Sequence, residues 1–231
     1  MKFPSRFPRP PLVLVFCSVA FLSQGAEVVF QETFGEHGAA AVSEGWQNVL
    51  QRGQPSLKML DSGESAVRVN NHVLGHSLLN PLRENFQMEV EVLHGSDGAF
   101  LWFGLFDSLL EKGYVMGWAI QPTDQGNPDG KLTLRKVQLE AGDKPEILLK
   151  GATGTSQSEI LGQEVRSPRN ALVEPPPKFK LSWSKAAGEL VLECDGAEVA
   201  RVADSSFSEF DSVLISGNKD TVYRSVTVTG K

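Results

Sequence analysis

Residues 98–121 decide the fold, and they read GAFLWFGLFDSLLEKGYVMGWAIQ. The stretch consists of two apolar runs joined by a polar loop, and it contains Trp102, Tyr114 and Trp118. Because each run is apolar at successive positions, both faces of each predicted strand lack polar side chains. Such a strand is covered on both faces or forms the floor of a groove. The stretch therefore predicts two adjacent strands near the centre of a β-sheet.

The segments around this stretch have the two-residue period of half-buried strands. Residues 86–92 (FQMEVEV) alternate most regularly, with Gln87, Glu89 and Glu91 on the polar face. Residues 178–183 (KFKLSW) alternate in the same way, which makes Trp183 a predicted core residue. Turn signals recur along the chain, and Asp195 with the glycine after it predicts a tight hairpin. The pattern predicts an all-β fold, a two-sheet antiparallel jelly-roll sandwich.

Residues 151–177 interrupt this rhythm with Gly, Ser, Thr and Pro. They predict a long loop, and the sequence leaves open whether residues 160–165 form a short strand. Residues 27–231 are predicted to form one domain, because all-β domains of this size are commonly single.

Residues 1–26 predict a signal peptide. Basic residues precede a short apolar run at residues 11–22, and small residues follow it at 23–26. The run is shorter than the roughly 20 residues that a membrane-spanning helix needs. We therefore expect a secreted, periplasmic or cell-surface protein without a membrane span.

Charge and cysteine content narrow the possible classes of protein and partner further. Without residues 1–26, 19 Lys and Arg stand against 28 Asp and Glu, a net charge of −9. An acidic surface argues against nucleic acid as a partner. Cys194 is the only cysteine outside the signal segment, so no internal disulfide is expected. It shares a predicted strand face with Leu190 and Leu192, which predicts a buried thiol.

Common catalytic motifs do not appear: the chain has no G-x-S-x-G, no H-E-x-x-H and no C-x-x-C. Glu89 and Glu91 are the candidate catalytic residues, because they share a strand face with Cα atoms about 7 Å apart. Paired carboxylates of this kind perform acid and nucleophile roles in retaining glycosidases. The alternative is a solvated strand face without catalysis.

The sequence also contains candidate metal ligands, and their pattern is as unspecific as that of the glutamate pair. Asp124, Asn127 and Asp129 crowd a glycine turn and offer the oxygen ligands that Ca²⁺ prefers, although Asx turns explain the same residues. His72 and His76 would lie about 13 Å apart on one strand face, too far to share a metal. We expect no cofactor and no metal, with Ca²⁺ as the alternative.

Aromatic side chains give the main indication of a ligand. Rings stack on the apolar face of sugars, while amides and carboxylates bind the hydroxyls. The candidate ligand-binding residues are the aromatic Trp102, Trp118 and Tyr114 and the polar Gln87 and Gln121. The alternative is that the rings belong to the core of the sandwich.

The chain resembles the concanavalin A-like lectin/glucanase superfamily, in its laminin-G-like and 3-keto-disaccharide hydrolase-like secreted branch. The resemblance rests on strand patterns: 32–34 (ETF), 45–46 (GW), 85–90 (NFQMEV), 113–118 (GYVMGW), 178–183 (KFKLSW), 190–196 (LVLECDG) and 222–230 (VYRSVTVTG). It implies a ligand on the concave sheet or its rim loops. Catalysis and calcium are not implied, because the Glu89 strand, EVEVLH at residues 89–94, departs from the glucanase string Glu-x-Asp-x-x-Glu.

Three functions follow from these patterns. The leading hypothesis is an exported, non-catalytic module that binds a polysaccharide or cell-surface glycan. The second is a glycoside-processing enzyme that uses Glu89 and Glu91, with residues 151–177 as a lid. The third is a structural or adhesion domain without a small ligand, in which Trp102 and Trp118 are both fully buried.

Overall fold

The backbone forms two antiparallel β-sheets in a computed structural model. The structure describes residues 27–34, 45–49, 56–59, 63, 65–94, 98–121, 129–140, 158–169 and 175–231. These residues form fifteen strands and no helix. The predicted all-β, two-sheet antiparallel sandwich is confirmed.

Sheet A contains eight strands, in the order β13-β12-β11-β6-β15-β4-β3, and β1 also pairs with β15. Their bounds are β1 (Val28–Thr33), β3 (Ser56–Met59), β4 (Ser65–Arg68), β6 (Asn85–His94), β11 (Lys178–Ser184), β12 (Glu189–Cys194), β13 (Ala197–Ala203) and β15 (Val222–Gly230). The first and last strands are therefore neighbours.

Sheet B contains seven strands, in the order β10-β9-β8-β7-β14-β5-β2. Their bounds are β2 (Gln47–Asn48), β5 (His72–Leu82), β7 (Phe100–Phe106), β8 (Lys112–Gln121), β9 (Asp129–Gln138), β10 (Ser158–Arg166) and β14 (Phe210–Gly217). β7 and β8 each pair with a strand on both sides, which confirms that residues 98–121 form central strands.

The main core lies between the sheets, as the alternation requires. Phe86 and Met88 face inward from β6, and Leu101 and Phe103 face inward from β7. Trp183 stacks on Phe86 with ring centroids 5.9 Å apart, which confirms it as a core residue. Removal of this apolar surface from water is the principal stabilising contribution to the fold.

Sheet B is also apolar on its outer face, the face turned away from sheet A. Six buried side chains form a second cluster there, which we call the outer cluster: Val73, Trp102, Phe106, Val115, Val137 and Leu214. The outer cluster explains why residues 98–121 lack the alternation of their neighbours, since both faces of β7 are buried.

Local features agree with the sequence in three further places. The pairing of β5 with β14 shifts register between Leu82 and Ser77, so Pro81 lies in an irregularity where a missing N–H is tolerated. The segment that the sequence left open is a strand, β10, paired with β9. Cys194 is buried, and burial raises the pKa of its thiol to about 11.

Candidate functional site

The outer faces of the two sheets differ in chemistry. On the outer face of sheet A, Lys180 forms an ion pair with Glu193, and Arg224 Nη1 lies 3.2 Å from Glu91 Oε1. This is a solvated face of paired charges. The outer face of sheet B instead combines the apolar outer cluster with hydroxyl and amide groups, which makes it the candidate site.

Glycines shape the candidate site around the large side chains. Trp102 lies opposite Gly117 across the β7–β8 ladder, and Phe106 lies opposite Gly113. A Cβ atom on Gly113 would lie 2.5 Å from the Phe106 ring, so a larger residue at this position would displace the ring.

A cleft of about 130 Å³ opens on this face beside the outer cluster. It is lined by residues of β2 and its flanks, of β5 and β14, and of the β7–β8 loop: Gly45, Gln47, Val49, Gly75, His76, Ser77, Ser108, Leu110, Ser212 and Leu214. Gln47, Ser77 and Ser108 are exposed, whereas Leu214 is buried beneath them. The cleft thus offers polar hydrogen-bonding groups around an apolar floor, although its volume is below the roughly 300 Å³ of drug-sized pockets.

Arg135 lies on the same outer face, on the side of the sheet formed by β9 and β10. The residue is 6% exposed. Its Nε donates to Thr133 Oγ1 at 3.3 Å, its Nη1 donates to Ser158 Oγ at 3.2 Å, and Thr133 Oγ1 donates to the carbonyl oxygen of Gly117 at 3.5 Å. Burial lowers the pKa of Arg135, and the nearby charge of Glu164 partly offsets this. Among the described residues, the hydrogen-bond acceptors of this buried guanidinium are neutral hydroxyls. Such an arrangement is unusual, because desolvation of the charge is costly.

Tyr114 faces the main core, and its hydroxyl takes part in a polar network at the edge of that core. The hydroxyl donates to Asp204 and accepts the backbone N–H of Phe207 at 3.1 Å. Burial, followed by the hydrogen bond to Asp204, raises the pKa of Tyr114. Burial alone would raise the pKa of Asp204, but hydrogen bonds from Tyr114 and Ser206 lower it below its usual range. This network fastens the segment between β13 and β14 to β8.

The five predicted ligand-binding residues do not share one face. Trp118 and Tyr114 are fully buried in the main core, where the Trp118 ring meets Phe179 at 5.1 Å. Trp102 belongs to the outer cluster but is only 1% exposed. The expected positions of Trp118 and Tyr114 at a groove are corrected, because the strand register turns them towards sheet A.

Gln87, one of the two predicted polar ligand-binding residues, is also separated from Trp102. Gln87 is exposed on the outer face of sheet A, on the opposite side of the molecule from Trp102. Gln121 ends β8, and its side chain lies outside the described residues. A site that combines Gln87 with the tryptophans is therefore not formed.

The candidate catalytic glutamates lie on the outer face of sheet A. Glu89 is exposed, and Glu91 is paired with Arg224. The spacing Glu-x-Asp-x-x-Glu does occur elsewhere, at Glu193, Asp195 and Glu198. It spans the tight turn between β12 and β13, so these side chains do not line a single strand.

All three of these carboxylates are engaged by a cation. Glu193 pairs with Lys180, Asp195 with Arg169, and Glu198 with Arg201. Such pairs are typical of a solvated strand face, and they do not place an acid and a nucleophile around one substrate bond.

The metal candidates receive no support from the described side chains. Asp124 and Asn127 lie outside the described residues, as does the side chain of Asp129. His72 Nδ1 lies 3.2 Å from Asn48 Nδ2, and the His76 ring packs on Phe30. Among the side chains that the structure describes, no group of three or more His, Cys, Asp or Glu could hold a metal ion.

The sequence reasoning missed Arg135 and the serines of the cleft. Arg135 alternates with Thr133 and Val137 in residues 131–138 (KLTLRKVQ), and Leu132 and Leu134 take the inner face. An arginine on the same strand face as a core valine was the available signal.

No protein-family model matches this chain, and no curated protein matches it. Solved structures do match across most of its length. A galectin-like protein of unknown function from Bacillus subtilis is 10% identical, covers 89% of this chain and 96% of its own, and has a TM-score of 0.56. The CBM2 module of the evolved Dit of Lactobacillus casei BL23 phage J-1 is 10% identical, with coverage of 88% and 95% and a TM-score of 0.54.

A β-1,3-1,4-glucanase (lichenase) derived from a mouse hindgut metagenome is 10% identical, with coverage of 87% and 99% and a TM-score of 0.51. These likenesses establish the fold: the sandwich is a jelly roll of the galectin-like kind. In the described part of the chain, no helix is long and apolar enough to cross a membrane.

Proposed function

We propose that this protein is an exported, non-catalytic domain that binds carbohydrate through the outer face of sheet B. The cleft beside the outer cluster carries the proposal, because it places Gln47, Ser77 and Ser108 around an apolar floor. Hydroxyl and amide groups match sugar hydroxyls, and apolar side chains match the C–H face of a sugar ring. A cleft of this size suits one ring of a longer chain.

Similar folds support the class of ligand. The phage module carries the name of a carbohydrate-binding module, and the lichenase acts on a polysaccharide. The predicted signal peptide at residues 1–26 supports export, which would bring the domain to secreted or cell-surface glycans.

A binding assay on the purified chain tests the proposal. Affinity electrophoresis in gels that contain neutral or acidic polysaccharides should show retardation in at least one gel. Gln47→Ala and Ser77→Val should each weaken binding about tenfold, the effect of losing a hydrogen bond to a ligand in a desolvated site. Ser182→Val, on the outer face of sheet A, is the control and should bind as the unaltered chain does.

A structural or adhesion role is the second candidate. The burial of both Trp102 and Trp118 favours it, because neither ring is open for stacking on a sugar. If no polysaccharide retards the chain, the carbohydrate proposal is overturned in favour of this role.

Catalysis has a separate test. The chain should release no reducing ends from any polysaccharide that it binds, because Glu89 is solvated and Glu91 is held by Arg224. Release that disappears in Glu89→Gln, with folding retained, would show a glycoside hydrolase instead.

A further inference from the structure

A second groove lies where the start of β1, the end of β5 and the end of β15 meet. Its volume is about 380 Å³, and we call it the terminal groove. The apolar side chains that line it are those of Val28, Val29, Leu78, Leu79, Pro81 and Leu82. None of the residues that line it also lines the cleft of the proposed site, so the two surfaces are separate.

Several apolar side chains of the terminal groove are open to solvent. Leu79 is 98% exposed, Val28 54% and Val29 36%. In the described part of the chain five large apolar side chains are exposed, and these are three of the five. Single exposed apolar residues are common on protein surfaces, whereas a group of them beside an apolar groove is typical of a surface that binds another protein.

Irregular strand pairing produces this exposure. Between Ser77 and Leu82, β5 has four residues where the paired strand β14 has one. The pairing of β1 with β15 also shifts register between Val28 and Phe30, which makes Val29 an extra residue. Bulges of this kind point side chains away from the regular faces of a sheet. The backbone itself therefore presents Leu79 and Val29 to solvent.

Main-chain hydrogen bonds hold the walls of the terminal groove together. The N–H of Gly230 donates to the carbonyl oxygen of Glu27 at 3.2 Å. The N–H groups of Arg83 and Glu84 both donate to the main-chain oxygen of Lys231 at 2.8 Å. The groove is thus formed before anything binds to it, and a preformed surface loses little conformational entropy on binding.

The rim of the terminal groove is complementary to itself in shape and in charge. Leu79 projects from the rim, and the groove beside it is apolar and large enough to accept a leucine side chain. Glu27 and Lys231 are exposed opposite charges at the ends of neighbouring strands. A twofold rotation places Glu27 of one copy against the partner's Lys231, and the reverse contact forms at the same time.

We propose that the terminal groove binds a second copy of this chain in a twofold-symmetric dimer, in which Leu79 of each copy enters the groove of the other. The dimer does not depend on carbohydrate binding, and it presents two copies of the proposed site to one polysaccharide. Ten residues line the groove, whereas a standard interface uses about 20–30 on each side. The dimer is therefore weak and dissociates on dilution.

Sedimentation velocity of the purified chain tests for this dimer. Between about 1 µM and about 1 mM protein, the sedimentation coefficient should rise from the value of a monomer to that of a dimer and then level off. A twofold contact is closed, so growth beyond the dimer overturns the proposal. A chain that stays monomeric over the whole range also overturns it.

Two matched leucine variants locate the contact. Leu79→Asp should raise the Kd of the dimer about a hundredfold or more, because a symmetric contact loses the buried leucine twice. Leu109→Asp is the control, since it adds the same charge at a leucine that is 72% exposed and lies outside the groove. An unchanged Kd in Leu79→Asp, or equal weakening in both variants, overturns the proposal. Val28→Asp gives the same test if Leu79→Asp loses its cooperative urea transition.

A charge exchange tests the twofold arrangement. Glu27→Lys and Lys231→Glu should each raise the Kd at least about threefold, because each turns two ion pairs of the dimer into contacts between like charges. The double variant restores opposite charges at both contacts and should regain the Kd of the unaltered chain. A double variant as weak as either single variant overturns this arrangement.

Discussion

Tyr114 connects β8 to the segment between β13 and β14, and it does so through one hydroxyl with two partners. The hydroxyl donates to Asp204 and accepts from Phe207 N. Tyr114→Phe preserves the ring contacts with Phe207 and Phe210 but leaves Asp204 and the Phe207 N–H without this partner. We expect the free energy of unfolding at pH 7 to fall by about 1–3 kcal/mol, measured by urea denaturation.

The same hydrogen bond makes this stability depend on pH. The pKa of Asp204 is lower in the folded chain than in the unfolded one, where it is about 3.9. Its contribution is therefore complete above about pH 5 and is lost as the pH falls through the folded-state pKa. The difference between the unaltered chain and Tyr114→Phe should shrink towards pH 2. A difference that stays constant from pH 7 to pH 2 would contradict this assignment, and Asp204→Asn should respond less to acid than the unaltered chain does.

Trp102 and Trp118 show that the face to which a side chain points cannot always be predicted from the residues of its own strand. The apolar composition of residues 98–121 correctly predicted two central strands covered on both faces. The side to which each ring points depends on register, and Trp102 pairs with Gly117 whereas Trp118 pairs with Leu101. Because both strands are apolar on both faces, no polar residue in the sequence marks the register, and a shift of one residue exchanges the faces.

At the scale of elements, β7 depends on a glycine that packs against a backbone carbonyl. A Cβ atom on Gly104 would lie 2.0 Å from the carbonyl oxygen of Tyr114. Gly104→Ala therefore forces the β7–β8 ladder apart, and we expect a loss of about 1–3 kcal/mol in unfolding free energy. Urea denaturation of the purified variant measures it.

Gly75 provides the matched control for Gly104. It also lies in a strand of sheet B, but the nearest atom to a Cβ there is Val49 Cγ2 at 3.3 Å, and the Val213 carbonyl oxygen is at an ordinary contact distance of 3.8 Å. A side chain yields more easily than a backbone, so Gly75→Ala should cost less than about 1 kcal/mol. If both variants lose the same unfolding free energy, the loss comes from replacing any glycine of the sheet and not from the contact with the Tyr114 carbonyl oxygen.

β10 shows why one element stayed ambiguous in the sequence. It is the edge strand of sheet B, paired only with β9, and its inward side chain Leu161 has few apolar companions. Glu159 and Glu164 are exposed on it, and its register shifts between Leu161 and Val165. Charges and bulges protect edge strands from pairing with other chains, and the same features weaken their sequence signal.

For the whole molecule, the sequence was sufficient for the class of fold but not for the site. Alternation and turn signals predict strands from local residues. The proposed site, in contrast, draws Gln47, Ser77 and Ser212 from three strands that are distant in sequence. Polar residues in separate strands meet only through sheet order, which local periodicity does not contain. The sequence prediction therefore centred on the aromatic stretch, whereas the proposed site uses the polar groups of the cleft beside the outer cluster.

The order of sheet A makes the last strand essential to the whole molecule. β15 lies between β6 on one side and β1 and β4 on the other, and its Tyr223, Val226 and Val228 are fully buried. Deletion of residues 222–231 removes these core side chains and leaves three strands without their shared neighbour. We expect the truncated chain to lose its cooperative urea transition, because long-range pairings of this kind cannot be replaced locally. Deletion of residues 1–26, which precede β1, is the control and should leave the midpoint unchanged. A truncated chain that unfolds at the midpoint of the full chain would show that sheet A does not depend on β15.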